Sequence, residues 1–122
     1  MAKGMAKQFV GLMLAAGLSS GVAAAEFSPN NGQRNAIEHV TQVLAGAQKC
    51  DDYALNERLF AVIQLGAGFS INDPETYAYF EERAIFHAKR IKDRTRDDIC
   101  GAMARLYGPG GTSVSDLAIK VK

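Results

Sequence analysis

Cys50 and Cys100 are the only cysteines of this 122-residue chain, and His39 and His87 are its only histidines. Those four side chains bound the covalent and metal chemistry open to it. A redox dithiol is normally Cys-x-x-Cys, whereas 49 residues lie between these two cysteines. A cysteine nucleophile needs a base beside it and a group to orient that base, and neither histidine neighbours a cysteine in sequence. Zinc would have to recruit Cys50, Cys100, His39 and His87 from four separate places, with none of the short ligand spacings that mark such sites. The expected state is one structural disulfide, Cys50 to Cys100, with no metal and no cofactor.

A second group of residues suits non-covalent recognition. Lys89, Arg90, Lys92, Arg94 and Arg96 fall within eight residues, and Tyr77, Tyr79, Phe80 and Phe86 lie just before them. Cations close to the end of a helix also complement its negative dipole end, and Glu82, Asp93, Asp97 and Asp98 are near enough to neutralise some of them. The aromatics are too many for one helical stripe, however, and Tyr, Phe and Arg are the residues that anchor protein interfaces. Tyr77, Tyr79, Phe86, Lys89, Arg90, Lys92, Arg94 and Arg96 therefore make the candidate partner surface. Should the chain be an enzyme, His87 with Glu81 or Glu82 is the candidate acid–base pair.

The opening MAKGMAKQFVGLMLAAGLSSGVAAA has the form of a secretory signal over residues 1–25. Lys3 and Lys7 precede an apolar run from Phe9 to Leu18, and Ala23, Ala24 and Ala25 offer small residues for cleavage. That run is about half the roughly 20 residues a bilayer span requires, so no integral membrane anchor is expected. Residues 26–122 then form a single domain of 97 residues, periplasmic or secreted, where an oxidising compartment lets a disulfide persist. Losing Lys3 and Lys7 leaves 12 basic against 13 acidic side chains, a net charge of −1. Near-neutrality without a binding motif argues against nucleic acid as a partner.

Helical periodicity organises the rest. After a lead-in over residues 26–32, Ile37, Val40, Leu44 and Ala47 recur at three- and four-residue steps and predict a helix over 32–48. Asp51 and Asp52 are placed to start a second helix through DYALNERLFAVIQLG, which Gly66 and Gly68 end. Asp73, Pro74 and Glu75 open a third helix over 74–92, with Tyr77, Phe80, Ala84, Ala88 and Ile91 inward and Glu81, Glu82, Arg83, Lys89 and Lys92 mostly elsewhere. Thr95 and Asp98 resemble a capping box for a fourth helix over 96–107, stopped by Gly108 and Pro109. For the tail over 109–122, a docking helix, an extended edge and a loose end are all open. The fold class is all-α, a small bundle of about four helices with one disulfide.

No HExxH, GxSxG, calcium loop or CxxCH occurs, and neither GAGFSI nor GPGGTS completes a nucleotide-binding loop. The reading is an exported, non-enzymatic helical protein that binds a protein partner, such as an inhibitor, immunity-type or assembly factor. An alternative rests on Cys50-Asp51-Asp52-Tyr53 and the spacing to Cys100, which resemble small periplasmic acid-stress chaperones. That resemblance spans four residues and one interval, and implies an envelope chaperone that loosens at low pH. A small enzyme is the third reading.

Overall fold

A computed structural model describes residues 27–122, and the signal-peptide reading of residues 1–25 lies outside them. Four helices and a two-stranded ribbon follow in the order α1 (Asn31–Lys49), β1 (Tyr53–Leu55), α2 (Glu57–Ala67), α3 (Pro74–Arg90), α4 (Arg96–Tyr107) and β2 (Ala118–Lys120). The chain is thus mostly helical, as the periodicity predicts, with a short ribbon added.

α1 is the central helix, with α2, α3 and α4 all packed on it. Its start is fixed by a reciprocal cap: the Asn30 side chain accepts from the Gln33 amide at 2.8 Å, and the Gln33 side chain accepts from the Asn30 amide at 3.0 Å. Ile37, Val40 and Val43 are wholly buried along it, where they meet Phe80, Ile99, Met103 and Leu117 in one core. Gly46 lets α4 approach closely, since a Cβ there would stand 2.5 Å from Met103 Sδ. Four residues later Cys50 is joined to Cys100, with the Cα atoms 5.3 Å apart. A crosslink spanning 50 positions stabilises the fold by roughly 4 kcal/mol through the unfolded chain alone.

The second helix begins later than the sequence suggests. Asp51 and Asp52 lie in a turn, Tyr53–Leu55 is extended, and the helix starts at Glu57 behind Asn56, whose side chain accepts from the Leu59 amide at 3.1 Å. Tyr53, Ala54 and Leu55 pair antiparallel with Lys120, Ile119 and Ala118. Asn56 fastens the join by donating its backbone amide to Leu117 O at 2.8 Å and its side-chain amide to Asp116 O at 2.9 Å. So the tail takes its extended form. Three-residue strands are marginal alone, and this pair holds because Leu55, Leu117 and Ala118 are buried against the helical core.

α3 opens at Pro74 as predicted, although the Asp73 side chain makes no capping hydrogen bond. α4 opens at Thr95, whose hydroxyl accepts from the Asp98 amide at 3.1 Å. These two helices flank α1 and hardly touch each other, which leaves a cleft between them. Among the described residues no helix is long and apolar enough to cross a membrane.

Candidate binding face

α3 borders two very different carboxyl environments, Glu38 of α1 beside Arg83 and His87, and its own Glu81. On one side Glu38 of α1 receives Arg83 in a forked pair, Nε to Oε2 at 2.6 Å and Nη2 to Oε1 at 3.0 Å, and His87 Nε2 lies 2.7 Å from Oε1. Arg83 and His87 are four apart and so share one face of α3. Burial alone would raise the Glu38 carboxyl, but the hydrogen bonds from Arg83 and His87 outweigh it and hold Glu38 below its ordinary value. Burial pushes His87 below its ordinary value, against the pull of Glu38 and helped by the charges of Arg83 and Arg90. A carboxylate only accepts, so His87 donates from Nε2 to Glu38. The acid–base pairing expected from sequence is thus rearranged: His87 meets Glu38, not Glu81 or Glu82.

Glu81 lies inside instead. It is 3% exposed, its Oε2 has no hydrogen-bond partner among the described residues, and burial raises its carboxyl to about 7. Placing Glu81 outside the apolar stripe of α3 is therefore corrected, because it falls four residues after Tyr77 and is carried inward with it. Tyr77 is also buried, stacked near Phe80 with ring centroids 6.4 Å apart, and burial followed by the Glu81 charge raises its hydroxyl to about 12.

The candidate surface residues consequently divide. Tyr77 belongs to the interior, and Tyr79 is half-buried against Phe27 with ring centroids 5.4 Å apart. Phe86 is 42% exposed, with the Arg83 guanidinium 4.3 Å and that of Arg90 5.7 Å from its ring centre. Lys89, Arg90 and Lys92 are exposed and have no carboxylate partner among the described residues. Arg94 makes only a loose contact with Asp98 at 3.7 Å. Arg96 stands apart, committed to Asp52 at 2.7 Å and Asp51 at 3.4 Å beside the disulfide.

Lys49 explains how the basic turn after α3 is held. Its ammonium donates to Ile91 O at 3.3 Å and to Lys92 O, satisfying carbonyls at the helix end. The cation on those carbonyls thus comes from α1, and Lys89, Arg90 and Lys92 face solvent.

Behind Arg90 lies the cleft between α3 and α4, with α1 as its floor and a volume of about 270 Å³. At its far end the Tyr107 hydroxyl donates to Gln42 Oε1 at 2.7 Å, so His39 Nδ1, 2.9 Å away, must donate to it in turn. Next to Ile99, near the start of α4, Cys50, Asp52 and Cys100 bring possible ligand atoms within 4.8 Å, yet both sulfurs are already bonded to each other and offer no thiolate.

No family model matches the chain, nor does any curated protein or solved structure. Sequence reasoning missed Glu38 and the cleft. The four-residue spacing of Arg83 and His87 was the available signal, since it marks one helical face asking for an acceptor.

Proposed function

We propose that this is an exported, non-enzymatic binding module that engages a protein partner through the exposed half of α3, centred on Phe86. The observation that supports the reading most is Phe86 standing 42% exposed between two arginines, on a helix whose inner side is occupied by the core. An exposed ring flanked by guanidinium groups is the composition of interface anchors. Arg83 is held by Glu38, so the ring and its cation are fixed before any partner arrives, which lowers the ordering cost of binding. Export fits the disulfide, a bond that persists in oxidising compartments.

The test compares wild type with F86A/R90E as bait on envelope extracts, after matching their melting temperatures. A partner retained by wild type and lost from the variant is the expected outcome. Identical captured proteins on both would end the proposal.

A chaperone reading has one favourable feature, the outward face of α2, where Val62 is 58% and Leu65 85% exposed. Under that reading V62S/L65S would lose the ability to keep an unrelated acid-unfolded protein from aggregating, as measured by light scattering. Wild type that never suppresses aggregation between pH 2 and 7 removes it.

A further inference from the structure

The cleft between α3 and α4 is built unlike the face outside it. Its walls supply Ile91, Ile99, Ala102, Met103 and Leu106, and its floor is α1 at Ala45 and Gly46. Gly46 matters for the depth: with no side chain there, Met103 drops onto α1 and the floor stays low. No lining residue is acidic, while Arg90 and Arg94 stand at the opening. Arg90 has no carboxylate partner among the described residues, and Arg94 has only Asp98 at 3.7 Å. Gln42 spends its oxygen on Tyr107, which leaves the amide NH₂ as a further donor on the wall. His87, also on the lining, commits its Nε2 to Glu38.

An apolar trough with an unpaired Arg90 and a loosely paired Arg94 at one end is complementary to a molecule with an apolar body and an anionic head. The volume of about 270 Å³ lies just below the usual range of ~300–1,000 Å³ for small-molecule sites, so it suits one short chain. We infer that the α3–α4 cleft binds a single-chain anionic amphiphile, with the chain along Ile99, Ala102, Met103 and Leu106 and the head on Arg90 and Arg94. This does not depend on the partner proposed for Phe86.

The test titrates octanoate into the ¹⁵N-labelled disulfide-bonded protein at pH 7, with octanol and octyltrimethylammonium as controls. Saturable shifts are expected at Ala102, Met103 and Leu106, with Kd below ~1 mM. R90Q/R94Q should weaken octanoate about tenfold or more while leaving octanol unchanged, and A102F should abolish binding by filling the trough. Both substitutions lie on exposed or half-exposed positions, so an unchanged melting temperature keeps them informative. Octanol binding as tightly as octanoate in wild type overturns the inference. So does an absence of saturable shifts, or binding only to phosphatidylglycerol vesicles and not to free octanoate.

Discussion

Glu38, which bridges α1 to α3, and Glu81, buried on α3, end in opposite states. Glu38 sits among an arginine, a histidine and partial solvent, with its side chain 24% exposed, and it stays charged. Glu81 is 3% exposed with an oxygen left over, and it holds its proton up to about pH 7. What separates them is the partner, not the depth alone: a carboxylate supplied with charge-assisted hydrogen bonds tolerates desolvation, and one without them is neutralised.

Their pH dependences oppose each other. Glu81 has a folded value of about 7 against 4.5 for an unperturbed Glu, so its contribution is fully present below pH 4.5 and is lost as pH rises through 7. Glu38 is lowered, so its contribution is held above pH 4.5 and goes as pH falls through its folded value. His87 acts in the same direction as Glu38, its contribution being present above 6.5 and lost on acidification.

The largest effect expected from breaking this contrast is at Glu81. E81Q keeps the shape and removes the charge, and should raise stability by about 3 kcal/mol at pH 8, with the gain vanishing below pH 4.5. Urea unfolding at the two pH values measures it, and an equal gain at both contradicts the assignment. E38A works in the other direction. It strands a half-buried Arg83 and a buried His87, and should cost about 2 kcal/mol at pH 7, less than for a fully buried pair because Arg83 is 27% exposed. Thermal melting should fall by ~10 °C. The smallest of the three is R83K, which keeps the charge but gives up the forked geometry and the guanidinium over Phe86, for a loss of about 1 kcal/mol. If R83K were as costly as E38A, charge alone could not be what holds Glu38.

The same contrast shows what the sequence makes legible. The starts of α3 and α4 were readable because each carries its own chemistry, Pro74 at the first turn and Thr95 with Asp98, whereas α2 starts behind Asn56 and not at Asp51 and Asp52. The disulfide was readable from count and compartment. Glu81 was not, because a charged residue on an otherwise apolar stripe is assigned outward by type, while its position four residues after Tyr77 carries it inward. Tyr53–Leu55 was not, because the residues that make it a strand are Ala118–Lys120, and no local pattern in DYAL announces a partner so far along. Glu38 and the cleft depend on how α3 and α4 are placed around α1, which is a tertiary fact. Within the candidate surface, Phe86 and the cations were recognisable by type, but which aromatics stay outside was decided by rotation of α3 about its axis.

The crosslink also changes what is near to what along the chain. Without it, Leu55 must find Ala118 across three intervening helices. With Cys50 bonded to Cys100, the covalent path runs five residues back to one sulfur and eighteen forward from the other. Closing a shorter loop costs less entropy, so oxidation turns the ribbon from a remote pairing into a neighbouring one. Amide exchange at β1 and β2 is accordingly a direct reporter of the thiol state of the molecule.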